Sequence, residues 1–130
     1  LDVKVDIFID KVYTYLYDTD GQNNVQKEIA KFNDDCRNNY GDAFVSLSES
    51  DQIKALQKAE ENSGQFGSSV WGTAIGNPEP VGFYRSLKST ALWGYFTSEQ
   101  IGKNVLNYDP IPGAYHGCLN LDEVGNKWSL

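Results

Sequence analysis

Apolar residues recur at helical spacing through most of the chain. Val5, Phe8, Ile9, Val12, Tyr15 and Leu16 are separated by 3, 1, 3, 3 and 1 positions, which predicts an amphipathic helix over residues 5–17 with these side chains on one buried stripe. Asp18-Thr19-Asp20-Gly21 ends it and offers an N-cap to the next element. Over residues 23–40 the positions Val25, Ile29, Phe32, Cys36 and Tyr40 repeat every 3 or 4 residues, with polar groups on the other faces and Gly41 as the C-terminal stop. Ser48-Glu49-Ser50-Asp51 is a capping-box pattern that starts a third helix. Ile53, Leu56 and Ala59 or Glu60 lie on one side of it, Phe44 and Leu47 form a staple across its start, and it frays near residues 62–64. Residues 81–95 return to the pattern through Val81, Tyr84, Leu87, Ala91, Leu92 and Tyr95, with Gly94 closing the helix. Thr97, as N-cap to Gln100, then starts a short helix that runs to about residue 106.

Two stretches break the pattern. Residues 64–80 are rich in Gly, Ser, Asn and Pro yet contain Phe66, Val70, Trp71 and Ile75. A connection of this length in a small domain is usually functional or mobile, and Trp71 predicts a partly anchored segment with a short helical turn. Beyond residue 106, Asp109-Pro110 and Pro112-Gly113 cannot continue a helix, because each proline lacks an N–H and biases its predecessor away from helical angles. Residues 108–118 therefore read as an extended, stiffened strap. Its Tyr108, Ile111, Tyr115 and Cys118 need a surface to lie on. There is no internal repeat and no alternating apolar run long enough for a sheet. The expected fold is all-α, a single domain of about four main helices and one short one over residues 1–130. It has a helical body at 3–62 and 79–106, a Gly/Ser/Pro-rich loop at 64–80, and a strap and tail at 107–130.

Charge and cysteines narrow the function. The chain has 130 residues, one domain's length, and a net charge of −7. Its 11 basic residues are scattered singly, which argues against nucleic acid or an anionic membrane surface as a partner. No apolar run approaches the roughly 18–20 residues that span a bilayer. The chain opens at Leu1-Asp2-Val3 with neither an initiator Met nor a basic, apolar leader, so a segment carrying targeting information is expected to have been removed. Cys36 and Cys118 could pair with each other, remain as two thiols, or bridge to a partner.

Catalytic machinery is not visible. His116 is the sole histidine, the two cysteines lack metal-ligand spacing, and there is neither a nucleophile elbow nor a phosphate loop. A Cys118–His116 dyad is geometrically poor, because one intervening residue does not bring a base onto a thiol. Asp34-Asp35, Glu60-Glu61 and Asp122-Glu123 are adjacent pairs whose members face different ways. Aromatic residues make up 13% of the chain, and Trp71, Phe83, Trp93, Phe96 and Trp128 fall off the buried stripes or in loops. That distribution favours binding.

Phe83-Tyr84-Arg85-Ser86-Leu87, Gly94-Tyr95-Phe96-Thr97-Ser98-Glu99, Ile101-Gly102 and above all Tyr108-Asp109-Pro110-Ile111-Pro112-Gly113-Ala114-Tyr115-His116-Gly117-Cys118 resemble the gluconate 2-dehydrogenase subunit 3 family. Weaker similarity extends upstream through Phe8-Ile9-Asp10, Tyr40-Gly41 with Phe44, and Leu47-Ser48 before Gln52. The resemblance implies a non-catalytic small subunit of a membrane-associated, flavin-dependent sugar or sugar-acid dehydrogenase. It carries no cofactor of its own, with FAD in a large flavoprotein subunit and haem in a cytochrome c subunit. In that family the small subunit has a twin-arginine leader and helps fold and escort the large subunit to the periplasm. Tyr95, Phe96, Tyr108, Asp109, Pro110, Ile111, Pro112, Tyr115 and Cys118 are then the expected partner contacts, since a stiff segment loses little freedom on docking. The alternative is a stand-alone extracytoplasmic module that binds carbohydrate or another ligand through Trp71 and Trp93.

Overall fold

Asp18 takes extended backbone angles and its Oδ1 accepts from the Gly21 N–H at 2.8 Å. The long helix is therefore capped within Asp18–Gly21 as expected, and begins at Thr19, four residues before the start its apolar stripe suggests. In the computed structural model, which describes residues 3–71, 73–76, 80–107, 113, 118 and 120–125, the helices are α1 (Val5–Tyr15), α2 (Thr19–Tyr40), α3 (Glu49–Glu61), α4 (Phe83–Phe96), α5 (Glu99–Asn104) and α6 (Leu121–Val124). A 3₁₀ turn (Phe44–Ser46) precedes α3. The fold is all-α, with four main helices and the short α5 as expected; α6 adds one turn in the tail. Among the described residues no helix is long and apolar enough to cross a membrane. The strap at 108–112 and 114–117 lies outside the described residues.

Contacts divide the chain into two compact units, one of Lys11–Ser89 and the other of Leu1–Asp10 with Thr90–Leu130. In the first, Gln22 secures the turn after α1: its Nε2 donates to the carbonyls of Tyr13 at 3.2 Å, Thr14 at 3.1 Å and Tyr17 at 3.3 Å. Gly21 makes this turn possible, since a Cβ there would sit 2.8 Å from the Tyr17 ring. Gly41 ends α2 in the left-handed region, φ +92°, with its N–H on the Arg37 carbonyl. Ser48 caps α3 as the sequence predicts: it accepts from the Asp51 N–H at 3.3 Å and donates to the Asp51 carboxylate at 2.8 Å. The Phe44 ring meets Phe32 of α2 at 5.3 Å, and Gln52 of α3 donates to the Phe44 carbonyl.

The end of α3 is braced by the first half of α4. Arg85 Nη2 donates to the Glu60 carbonyl at 2.9 Å, placing a cation on the C-terminal carbonyls of α3, where the helix dipole favours one. Lys88 Nζ donates to both carboxylate oxygens of Glu60, at 2.7 and 2.8 Å.

Three expectations are corrected. Tyr15, Leu16, Ile29 and Ile53 were placed on buried stripes but are exposed, Tyr15 by 78%. Among the described residues of this unit the buried apolar positions are Val25, Cys36 and Ala55, and Ala55 lies off the stripe expected for α3, so the buried face of that helix is turned away from Ile53. The described residues of 64–80 hold no helical turn. They carry a two-residue antiparallel ladder in which Ser69 pairs with Ala74 and Val70 with Thr73. Trp71 at its end is fully exposed rather than anchored.

The third correction concerns Gly94, which does not close α4 but lies buried inside it. An added Cβ would fall 2.5 Å from Cδ1 of Phe8, so glycine is needed for the α1 ring to reach the α4 backbone. Phe8 also meets Trp93 edge-on, with ring centroids 5.1 Å apart and planes at 86°. Gly94→Ala is expected to lower stability by about 1–3 kcal/mol, the usual range for overpacking. Thermal denaturation of the two proteins checks it, and pairing the change with Phe8→Leu should recover part of the loss.

The Glu60 brace sets an acid dependence. The ammonium of Lys88 holds the Glu60 carboxyl below the ordinary glutamate value, chiefly by direct hydrogen bonding. A depressed folded-state value means the contribution is complete above the unfolded value and is lost as pH falls through the folded one. The difference in melting temperature between wild type and Glu60→Gln is therefore expected to shrink as pH is lowered from about 5 to about 3.

Candidate partner interface

The residues after Thr90 in α4 run Ala91-Leu92-Trp93-Gly94-Tyr95-Phe96, apolar around the whole helix rather than along one side. A helix of this kind cannot cover every face with its own neighbours. Gly94 takes the buried side. Trp93 and Phe96 are left 52% and 48% exposed, with Leu92 and Tyr95 also substantially open. Leu92 and Tyr95 were expected on the buried stripe; the close fit of Phe8 against Gly94 instead centres the buried face on the glycine.

Hydrogen bonds hold this end of α4 in a fixed shape. The Thr97 hydroxyl donates to the Trp93 carbonyl at 2.7 Å and the Ser98 hydroxyl to the Tyr95 carbonyl at 2.8 Å, satisfying C-terminal acceptors that the helix leaves open. Ser98 then caps α5 by accepting from the Ile101 N–H at 3.3 Å. The cap is Ser98, one residue after the expected Thr97, because the Thr97 hydroxyl is already engaged with α4. Ile101 is 0% exposed and Gly102 is also buried, which fixes the short helix despite its six residues. The Glu99 carboxyl is held below its ordinary value by the Lys103 ammonium at 2.6 Å, an exposed pair one turn apart.

Of the expected contact residues, Tyr95 and Phe96 come together as an edge-to-face pair with centroids 5.2 Å apart. Cys118 is exposed and carries a free thiol. Tyr108, Asp109, Pro110, Ile111, Pro112 and Tyr115 lie outside the described residues, as does Trp128. Val105, half-open after α5, is an exposed apolar neighbour in sequence that helical spacing did not single out.

The Lys11–Ser89 unit has a separate feature, an open cleft of about 560 Å³ lined by Phe32, Tyr40, Phe83 and Tyr84 together with Lys31 and Lys58. Cys36 also lines it and is 1% exposed. Burial, and secondarily the Asp35 carboxylate, push the Cys36 thiol above its ordinary value. This is the reverse of an activated cysteine. Phe83, expected to be a free aromatic, is only half-exposed here.

A family model described as gluconate 2-dehydrogenase subunit 3 matches residues 1–113. No match was found among curated proteins or among solved structures.

The two thiols should differ in reactivity. Under native conditions at mildly alkaline pH, iodoacetamide is expected to label Cys118 and leave Cys36 intact, with both labelled in denaturant. Peptide mass mapping reads the order, and labelling of Cys36 at the same rate as Cys118 would show that its burial is not maintained.

Proposed function

The chain belongs to the gluconate 2-dehydrogenase subunit 3 family, and from that premise we propose that it is the small, non-catalytic subunit of a periplasmic, membrane-associated, flavin-dependent sugar or sugar-acid dehydrogenase, stabilising and escorting the catalytic flavoprotein. The family match over residues 1–113 carries this reading. It makes the chain an accessory dehydrogenase subunit and implies a catalytic partner subunit. FAD and haem belong, in this proposal, to the flavoprotein and to a cytochrome c subunit.

The exposed end of α4 supports the assembly role on physical grounds. Aromatic side chains contribute large contact area at small entropic cost, and they dominate the centres of protein interfaces. Trp93, Tyr95 and Phe96 are already held by the Phe8 contact and the Thr97 and Ser98 hydrogen bonds, so docking orders little that is not ordered beforehand. The strap, with Tyr108, Ile111, Tyr115 and Cys118, is proposed to extend the same contact.

Co-expression with the catalytic flavoprotein dehydrogenase subunit of the proposed complex tests the proposal. A tag on the small chain should recover the large one with its yellow flavin absorbance, and Tyr95→Ala with Phe96→Ala should weaken the association about ten-fold or more while leaving the helical circular dichroism unchanged. Recovery of the chain alone, with sugar binding seen by calorimetry, would replace this reading with the stand-alone binding module. A non-reducing gel adds a readout for Cys118: a high-mass band lost in Cys118→Ser marks a covalent bridge to the partner, and its absence from the wild type excludes one.

A further inference from the structure

The described residues between Gly64 and Gly82 form a finger closed at its base. The Gly82 N–H donates to the Gly64 carbonyl at 3.1 Å. A side chain on Gly64 would strike the Pro80 carbonyl, and one on Gly82 would strike the Ser63 hydroxyl, so the two strands of chain enter and leave backbone against backbone. Further out, the Ile75 N–H donates to the Ser68 carbonyl at 2.9 Å, and the Ser69–Ala74 and Val70–Thr73 pairs follow. Only positions 71 and 72 remain to connect the ladder.

Two-residue connections between antiparallel strands favour turns with left-handed backbone angles, because those match the strand twist. Trp71 has such an angle, φ +51°. Glycine, asparagine and aspartate meet this demand with little strain, whereas a bulky residue is an outlier there. Trp71 is also 100% exposed, so nothing its side chain touches within the chain offsets the strain. Phe66 and Ile75, lower on the same finger, are more than half exposed. From Asn62 to Pro78 no residue is charged, although 22% of the chain is. The chain's own stability does not account for a tryptophan at this position.

We propose that the 64–82 finger is a plug that seats Trp71 in a neutral, apolar pocket of the catalytic dehydrogenase subunit, with the indole N–H meeting an acceptor on the pocket wall. This rests on the accessory-subunit reading above. The complementarity is one of shape and charge. A convex tip with one large ring and no ionic groups fits a concave, uncharged socket, and tryptophan is among the residues enriched at the energetic centres of protein interfaces. A sugar is the poorer fit, because small ligands occupy concave sites with converging polar groups. A lipid surface is poorer too: the finger has no Lys or Arg for anionic headgroups, and the chain's net charge of −7 opposes approach.

Replacing Trp71 by Asn tests this through two readouts that move in different directions. Trp71→Asn creates Asn-Gly, the preferred pair for the turn, so the melting temperature of the free chain should hold or rise. Its dissociation constant for the purified flavoprotein subunit of the proposed complex should increase about thirty-fold or more, as for an interface anchor. A fall in melting temperature would overturn the inference by showing that Trp71 supports the fold. Unchanged affinity in the variant, with wild type binding, would overturn the finger alone. Failure of the wild type to bind would overturn the accessory-subunit reading with it. Co-sedimentation of wild type, but not Trp71→Asn, with phosphatidylcholine vesicles would assign the finger to a membrane and likewise overturn the protein pocket.

Discussion

Gly94 lets the ring of Phe8 lie against the backbone of α4, and the same device, a residue too small to keep two segments apart, recurs at each tight junction. Gly21 admits the Tyr17 ring, Gly64 admits the Pro80 carbonyl and Gly82 the Ser63 hydroxyl. Cys36 and Ala55, both small, are the buried positions of α2 and α3 alongside Val25. Close approach through small residues fixes backbones at short range but covers little surface. Large apolar side chains are consequently left at the edges of the helix stripes, half in water.

That economy makes the polar contacts between elements important. Glu60 collects Lys88 on its carboxylate and Arg85 on its backbone carbonyl, joining the end of α3 to the start of α4. Gln22 holds three carbonyls at the end of α1, and Thr97 and Ser98 do the same at the end of α4. Each closes a helix end whose acceptors would otherwise face water, and each fixes the direction of the chain that follows. Exposed ion pairs such as Arg37–Asp34 and Lys103–Glu99, one turn apart on single helices, contribute far less to the arrangement.

Much of this was legible in the sequence where the signal was local. The α2 stripe, the Gly41 stop and the Ser48 cap were read from spacing and from residues whose chemistry demands those positions. Gly94 was misread because a glycine near the end of a helical pattern has two meanings, a left-handed stop or a close contact, and only the partner ring of Phe8 decides between them. Tyr15 and Leu16 were misplaced because a stripe shows which side of a helix faces inward and not how far the neighbouring element extends. The ladder around residues 69–74 is too short for alternation to register. Its one sequence mark was Trp71-Gly72 between Val70 and Thr73, an X-Gly turn flanked by β-branched residues.

Exposed apolar side chains occur along α1, α2 and α3, and two further groups, at the end of α4 and at Phe66, Trp71 and Ile75, include the exposed tryptophans. A net charge of −7 opposes the association of such groups with copies of the same chain. At the end of α4 they sit on a hydrogen-bonded helix terminus, and on the finger they sit above a backbone clamp between Gly64 and Gly82. Both supports hold exposed rings in shape before any contact is made. An accessory subunit needs this property, because binding energy consumed in ordering its own loops is unavailable for holding its partner. The large side chains are therefore informative about assembly, while the small residues beneath them explain how so modest a core keeps them in place.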